Sequence, residues 1–407
     1  MKSSVLLAVI SALSSTALAS CDTPPRVSLY SPGSSHAGAV GAAYFMTNEP
    51  TGNYLVSATI GSDGKLALYE AVYTEGNGAH GLPAPPGLDA LFSQGSVGVS
   101  SSQKFVANVN AGSNTVSVFG IDESNPGYLT LIGKPVSSGG EFPNSLTINN
   151  AGNRVCVVNG GKINGVSCYT FNAKEGLTPI KNSVRSLGLN QTTPATGPPN
   201  TPSQIIFSPD EKQLIVSVKA GFLAVWDIDS DGSLSSNFST VDGGVLPFSL
   251  IFVPGQNALV ASDPGVGYDV FDLAATTRSK AAVSTVIPNQ KAACWSAYSK
   301  ESGDFYIIDV GGSVLTEVHV SSSLNSTIVK QYSLGTDGPI DSEVATVGKK
   351  DFMYTLAANA TGLTVVSVNG PGKAEVYQRV DIAGPAKTAN LPINSTSLQG
   401  LATFICQ

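Results

Sequence analysis

Polar residues that can bind a small ligand recur at corresponding places along the 407-residue chain. Five of them end or follow short aliphatic runs, about 50 residues apart: Asn110, Asn159, Lys219, Asp263 and Asp309. Five more precede such runs: Gln94, Asn144, Gln204, Trp295 and Glu343. Amides, carboxylates and an ammonium around one opening suit a small polyhydroxylated or carboxylated ligand. The same residues equally suit the hydrogen bonds of turns and of a channel wall, so both interpretations stay open.

Proton transfer near neutral pH would most naturally involve a histidine, and the chain has three. His36 lies in a Ser/Gly-rich segment and His319 alternates within a strand-like run, whereas His80 lies in a loop, EGNGAHG, that can overhang an opening. We therefore predict His80 or Asp263 as a base and Lys219 as an anion holder. No hydrolase elbow, zinc motif or phosphate loop accompanies them. Asp263 and Asp309 follow no metal-ligand spacing, and neither a metal nor another cofactor is predicted.

The composition limits the elements that can position these residues. Charged residues make up only 13% of the chain, the formal charge is −7, and there are 43 Gly and 24 Pro. A coiled coil, a disordered tail and a nucleic-acid binder are excluded, because each needs more charge or a basic excess. No apolar stripe of helical length follows the first 19 residues, and turn residues are abundant. These features favour an all-β fold.

Seven strand-like runs begin 44 to 59 residues apart, from Tyr54 to Phe352. Each is flanked by further strand-like segments, so a unit contains about four strands. This period predicts a seven-bladed β-propeller, four antiparallel strands per blade, formed by residues 20–407 as one domain. The last run, Leu398–Ile405, is expected to close the ring against the first blade near Ala42–Met46. The longest interval contains a Pro/Thr/Gly loop, residues 191–201.

Residues 1–19 resemble a secretory signal peptide, with Lys2, an apolar run and the cleavage site Ala17-Leu18-Ala19. Residues 18–21 (LASC) also match a bacterial lipoprotein processing box. Five sequons favour a eukaryotic secreted glycoprotein instead, extracellular or in a cell wall: Asn190, Asn237, Asn325, Asn359 and Asn394. No later segment is apolar enough to span a membrane. We expect a monomer.

Secretion makes the five cysteines candidates for disulfides. Cys156 and Cys168 flank a Gly-rich turn and would lie opposite each other in a hairpin, which permits a disulfide. Cys21 and Cys406 lie at the two ends of the mature chain and would tie the ring closed. Cys294 is expected to be a buried free thiol.

The repeated pattern of an SPD turn (Ser208 to Asp210), an aliphatic strand and a Val-x-Val-Phe/Trp strand resembles the lactonase family of seven-bladed propellers. That family contains 6-phosphogluconolactonases and the fungal carboxy-cis,cis-muconate cyclases, and the resemblance is nearest to a secreted fungal branch. Leu91–Gly95 (LFSQG), Gly139–Pro143 (GGEFP) and Gly221–Asp227 (GFLAVWD) carry the similarity. The single Trp226-Asp227 dipeptide has no Gly-His partner, so a WD-repeat propeller is disfavoured.

The resemblance implies a cyclase site of one His, one Glu and two Arg at one mouth. The His position matches Gln94, the first Arg position matches Asn144, the Glu position matches Asn159 or Gly160, and the second Arg position matches Lys219. Gln and Asn exchange no proton near neutral pH, so this chemistry is not carried over. Lys219 keeps the charge without the planar fork of arginine.

Two functions follow. The first is a secreted lactonase- or cyclase-like enzyme that acts on a small lactone or carboxylated ring. The second is a non-catalytic extracellular glycoprotein, an adhesin or a propeller that binds carbohydrate or protein. The family resemblance and Lys219 favour the first, and the missing His, Glu and Arg favour the second.

Overall fold

The computed structural model describes residues 24–30, 38–83, 87–275 and 281–406, and in these ranges the chain is almost entirely β. The strands form seven antiparallel sheets arranged as the blades of a propeller, as the repeat predicts. The one α-helix described, Ala383–Thr388 (α1), has six residues. The signal peptide, Cys21 and His36 lie outside the described residues, and their assignments stay predictions.

Each blade has the predicted four antiparallel strands, and the first three blades have one short strand more: at the outer edge in blade 1, and as a second short outer strand in blades 2 and 3. Blade 1 is formed by Arg26–Ser28 (β1), Gly41–Met46 (β2), Tyr54–Ile60 (β3), Leu66–Tyr73 (β4) and Gln399–Ile405 (β31). Blade 2 is formed by Val97–Ser100 (β5), Phe105–Asn110 (β6), Thr115–Asp122 (β7), Asn125–Leu131 (β8) and Val136–Ser137 (β9). Blade 3 is formed by Pro143–Ile148 (β10), Arg154–Asn159 (β11), Gly165–Asn172 (β12), Gly176–Pro179 (β13) and Arg185–Ser186 (β14).

The other four blades each contain four strands. Blade 4 is formed by Pro202–Phe207 (β15), Gln213–Val218 (β16), Phe222–Asp227 (β17) and Ser239–Asp242 (β18). Blade 5 is formed by Leu250–Phe252 (β19), Ala258–Asp263 (β20), Gly267–Asp272 (β21) and Ala282–Val286 (β22). Blade 6 is formed by Ala293–Ser299 (β23), Asp304–Asp309 (β24), Val314–Val320 (β25) and Ser326–Ser333 (β26). Blade 7 is formed by Pro339–Val347 (β27), Lys350–Ala357 (β28), Gly362–Val368 (β29) and Ala374–Asp381 (β30).

The second strand of a blade is apolar on both faces because neighbouring blades cover it from either side. Every residue of β6, β20 and β24 is buried, and the same holds for five of the six residues of β16. Such strands have near-continuous hydrophobic sequences rather than an alternating pattern. In blades 2 to 7, the aliphatic runs that define the repeat therefore form the second strand from the channel.

The C-terminal strand closes the ring. β31 pairs antiparallel with β2, with Gly41 opposite Ile405 and Tyr44 opposite Ala402, as the sequence predicts. It also packs against β5 and β27, so it is the channel-lining strand of blade 1. Since β31 takes the inner position, the Tyr54 run lies in the third strand from the channel, whereas the corresponding runs of the other blades lie in the second.

The hairpin disulfide is confirmed. Cys156 on β11 lies directly opposite Cys168 on β12, and their sulfur atoms are bonded. Cys294 is buried and Cys406 half-buried, and neither pairs with another described cysteine. Because Cys21 lies outside the described residues, its predicted disulfide with Cys406 is still a prediction. Within the described residues, no helix is long and apolar enough to cross a membrane.

Candidate functional site

A segment between blades 1 and 2 crosses one mouth of the central channel. We call Asp89–Gly95 the crossing segment. The side chain of Gln94 pairs with the backbone of Ser296 in blade 6: Nε2 donates to the carbonyl oxygen at 3.1 Å and Oε1 accepts from N–H at 3.0 Å. Trp295 Nε1 donates to the Ser93 carbonyl at 3.1 Å. The segment is therefore attached to the far side of the ring, and it closes the channel at this mouth.

Blades 3 and 4 also hold the crossing segment. Asn144 Nδ2 donates to the carbonyl oxygens of Pro202 at 2.8 Å and Leu91 at 3.3 Å, and Ser93 Oγ donates to the Asn144 carbonyl at 2.6 Å. Asn144 Oδ1 is buried without a protein partner. Gln94 and Asn144, both predicted to bind a ligand, use their side chains to support the crossing segment or the backbone around it.

Lys219 follows β16 and is almost completely buried beneath the crossing segment. Its ammonium donates to the Phe92 carbonyl at 2.6 Å, the Ser203 hydroxyl at 2.5 Å and the Pro202 carbonyl at 3.3 Å. The Nζ atom lies 4.8 Å from the centre of the Phe248 ring. An ammonium has three N–H donors, and all three are used. The structure therefore places Lys219 where it supports the mouth, and leaves it no donor for a substrate anion.

Asp89 is the carboxylate that the crossing segment presents at this mouth. It accepts the N–H of Ser93 at 3.4 Å and stays partly exposed. Burial raises the pKa of Asp89 above its ordinary value, while the Lys219 charge and backbone N–H groups oppose that shift. Burial likewise lowers the pKa of Lys219, and Asp89 opposes it. A carboxyl group with a raised pKa in a cleft can accept a proton near neutral pH.

A cavity of about 550 Å³ opens beside Asp89, and we call it the mouth cavity. It lies over blades 5 and 6 and is covered by the crossing segment and by the Pro-rich loop before β15. Its apolar walls are Pro83, Leu88, Phe92, Pro198, Leu246, Phe248, Pro264, Ala292, Trp295 and Val310. Apart from the hydrogen-bonded indole of Trp295, its polar side chains are Asp89, Lys291 and Cys294. Burial raises the pKa of the Cys294 thiol, so Cys294 is not an activated nucleophile.

The ring of polar strand ends is present, but turns use its side chains. Asp263 accepts N–H groups from Val245 at 2.6 Å and Leu246 at 3.0 Å, which precede the inner strand of its own blade. Asp309 does the same for Lys291 and Ala292, both at 2.8 Å. These carboxylates accept hydrogen bonds from loop N–H groups that would otherwise lack a partner. Neither lines the mouth cavity.

The two amides of the ring have the same structural role. Asn110 accepts from Asn53 at 2.9 Å and Thr74 at 2.7 Å, and so joins blades 1 and 2. Asn159 exchanges hydrogen bonds with Ser138, at 2.6 and 2.9 Å. The interpretation of these side chains as turn and channel supports is the one that their contacts favour.

The other three predicted ligand-binding residues, Gln204, Glu343 and Trp295, differ in their exposure to solvent. Gln204 Oε1 accepts Leu250 N–H at 2.6 Å across the seam between blades 4 and 5. Glu343 is exposed on the inner strand β27, and enclosure by the surrounding protein raises its pKa to about 7. Of all the predicted site residues, Trp295 is the one that lines the mouth cavity.

His80 does not line the mouth cavity, although the next residue, Gly81, does. Its Nε2 is 2.9 Å from the hydroxyl of Ser397, which is completely buried. Burial lowers the pKa of His80, and the nearby charge of Glu49 opposes the shift. His319 is on the outer side of blade 6, with Nδ1 at 2.7 Å from Asp304. Within the described residues, no group of three or more His, Cys, Asp or Glu is placed to hold a metal.

Sequence reasoning missed Asp89, Phe92, Phe248 and Lys291. A signal was present for Phe92, because it lies in the same LFSQG run as the predicted residue Gln94. Phe92 has a φ of 55°, in the left-handed region that bulky residues rarely adopt. Its ring is tightly enclosed: a Cβ atom on Gly81 or Gly197 would come within 2.2 or 2.6 Å of it. Such strained, over-determined residues cluster at functional sites.

The comparisons with known proteins agree with this architecture. Residues 41–187 match the family described as "Lactonase, 7-bladed beta-propeller". No curated protein matches the chain. A periplasmic gluconolactonase, PpgL, from Pseudomonas aeruginosa superposes with a TM-score of 0.65 at 16% identity, over 90% of this chain and 99% of that one.

Two further solved structures are similar. A putative 6-phosphogluconolactonase from Bacteroides fragilis has a TM-score of 0.62 at 14% identity and covers 91% of this chain and 99% of its own. Another from Bacteroides uniformis has a TM-score of 0.61 at 17% identity and covers 89% and 100%. At these identities the likeness establishes the propeller fold, and the family match covers the first three blades.

Proposed function

We propose that the whole chain is a secreted lactonase-family propeller that hydrolyses a small lactone in the mouth cavity. The observation that carries this proposal is the position of Asp89. It is a partly exposed carboxylate with a raised pKa, at the side of a cavity at one mouth of a propeller whose residues 41–187 match the lactonase family. Titratable groups with raised pKa values in clefts are candidates for general bases.

Hydrolysis of a lactone needs one group that first accepts a proton and then returns it. Asp89 accepts a proton from water while the water oxygen attacks the lactone carbonyl carbon. The ring C–O bond then breaks, and the leaving ring oxygen takes the proton back from Asp89. The sum is lactone plus water giving a hydroxy acid. Lys291, exposed at the rim, supplies a positive charge near the carboxylate product.

Lys219 is a positioning residue in this scheme. Its ammonium holds the Phe92 carbonyl, so it fixes the backbone three residues from Asp89. The cyclase arrangement that the resemblance implies is not proposed for this chain, because Gln94 and Asn144 are engaged in structural hydrogen bonds and an amide neither gains nor loses a proton near neutral pH. His80 and Asp263 are not proposed as bases, since neither lines the cavity.

Secretion and glycosylation are part of the proposal. All five sequon asparagines are exposed: Asn190, Asn237, Asn325, Asn359 and Asn394. Exposure is what attachment of a bulky glycan requires. The Cys156–Cys168 disulfide is typical of an oxidising compartment. Both observations support an extracellular or cell-wall protein with the predicted signal peptide.

The test is turnover of a lactone panel by the purified full chain, with gluconolactone, 6-phosphogluconolactone and muconolactone among its members. Asp89→Asn is expected to lower kcat by about 10²–10⁴. The activity of the unmodified protein should rise with pH, as Asp89 loses its proton. Asp210→Asn is the matched control, because Asp210 lies in an exposed turn at the opposite end of blade 4. No turnover on any lactone, or equal turnover by Asp89→Asn, would refute the proposal.

The second candidate is a non-catalytic binding propeller, an extracellular adhesin or glycan binder. It is favoured by one observation: the side chains at the family's proton-transfer and arginine positions are committed to structure here. In that case the chain should bind glycans or matrix proteins on an array, and it should hydrolyse no lactone. Binding at background level would contradict this candidate.

A further inference from the structure

The walls of the mouth cavity point to a different ligand from the polyhydroxylated one that the polar ring suggested. Phe248 and Trp295 are almost completely buried and lie beneath the cavity surface, with ring centres 5.2 Å apart. The side chains that stay partly exposed to a ligand include Leu88, Leu246 and Phe92, whose ring is wedged between Gly81 and Gly197. Apolar walls with an accessible aromatic ring bind flat apolar rings through burial and through edge or face contacts.

The polar groups of the site are few. A sugar lactone carries a hydroxyl on most carbons, and each buried hydroxyl needs a partner. The lining provides the side chains of Asp89 and Lys291 and the thiol of Cys294, a weak partner. The amides and carboxylates of the polar ring are hydrogen-bonded to backbone groups or to neighbouring side chains. A polyhydroxylated ring in this cavity would therefore leave several of its hydroxyls unpaired.

A phosphate is disfavoured for a separate reason. Lys219 is the predicted anion holder, yet its three N–H groups point to Phe92, Ser203 and Pro202. It is buried, and it does not line the cavity. Asp89 would also repel a phosphate placed beside it.

We propose that the mouth cavity takes an aromatic, uncharged lactone, in which an aryl ring is fused or attached to the ester ring. That the ligand is a lactone rests on the proposed function, and that it is aromatic rests on the walls of the cavity. The aryl ring packs against Leu88, Phe92 and Leu246, and the ester carbon lies toward Asp89. The cavity volume of about 550 Å³ is within the usual range for small-molecule sites, about 300–1,000 Å³.

Binding can be measured apart from hydrolysis by using lactams, which keep the ring shape but resist cleavage. The two probes are 3,4-dihydro-2-quinolinone, an aromatic lactam, and gluconolactam, its polyhydroxylated counterpart. Calorimetric titration of the full chain should show the aromatic lactam binding at least about tenfold more tightly. Trp295 is also a reporter: the chain has two tryptophans, so a Trp226→Phe variant reports ligand quenching from the cavity wall alone.

A paired variant tests the location. Leu88→Asn introduces a polar group into the cavity wall at nearly the same size, and we expect about tenfold weaker binding of the aromatic lactam. Val286→Asn is the control, because Val286 is 66% exposed on the outer strand β22. Both side chains lie near the surface, and melting temperatures of the two variants check that each is folded.

The outcomes separate the two proposals. Tighter binding of gluconolactam, or no binding of the aromatic lactam, overturns the aromatic assignment, whatever the turnover assays show. Equal loss of binding in Leu88→Asn and Val286→Asn also overturns it. Binding of the aromatic lactam without hydrolysis of dihydrocoumarin supports the ligand class and counts against the enzymatic function alone.

Discussion

The crossing segment offers a sharp test of how this mouth is built. Gln94→Leu removes both amide bonds to Ser296 while keeping most of the side-chain volume. Each hydrogen bond contributes a net 0.5–1.5 kcal/mol, roughly, to folding, so the two together contribute about 1–3 kcal/mol. Gln94 is partly exposed, and water can replace some of what is lost, which favours the lower half of that range.

Calorimetric melting of the purified chain measures this effect. In a domain of this length, each kcal/mol shifts Tm by roughly 1–2 °C, so Gln94→Leu should melt about 1–4 °C lower. Gln331→Leu is the matched control, because Gln331 lies exposed on the outer strand β26, where such changes usually stay within about 0.5 kcal/mol. If the two variants melt together, the crossing segment is not held by Gln94, and our account of the closed mouth fails.

Three further predictions concern stability and modification. Burial raises the pKa of Asp341 to about 8, so the folded protein binds a proton there that the unfolded chain has lost. The contribution of Asp341 to stability therefore falls as the pH rises from about 4 to 8. Asp341→Asn should raise Tm more at pH 9 than at pH 5, and equal shifts at the two pH values would contradict this. Replacing Cys156 and Cys168 together by serine should lower the free energy of unfolding by about 3 kcal/mol in urea titrations, because the disulfide closes a loop of 12 residues. Protein secreted from a eukaryotic host should lose mass on treatment with an N-glycan-cleaving enzyme, and an unchanged mass would argue against glycosylation.

Much of the fold was predictable because the propeller is a local pattern repeated seven times. Aliphatic runs about 50 residues apart place the second strands, and Gly-rich turns place the hairpins, including the one joined by Cys156–Cys168. Ring closure was predictable too, since one unpaired strand, Leu398–Ile405, remains at the end of the chain. The exception is the Tyr54 run, which the inner strand β31 shifts outward by one position. That shift depends on a contact between the two ends of the chain.

The site was predictable only in part. Strand-end positions such as Asn110 and Asp263 are at the predicted mouth, yet whether a side chain faces a cavity or bonds to a turn depends on the loops that cover it. Asp309 illustrates this, because its carboxylate satisfies two N–H groups of a loop that lies 17 and 18 residues earlier in the chain. No sequence motif marks Asp89. Its pKa is raised because the folded protein removes water from around it, and the chain forms that environment only in three dimensions.

The sequence by itself determined the seven-bladed ring, the hairpin disulfide and the places where polar residues recur, because each follows from periodicity and from neighbours along the chain. The tertiary structure alone decided that residues 89–95 cross the channel, that Lys219 uses all its donors inside the protein, and that apolar side chains from distant parts of the chain line one cavity. The physical reason is distance: Gln94 and Ser296 are 202 residues apart, and a hydrogen bond across the ring leaves no trace in local sequence.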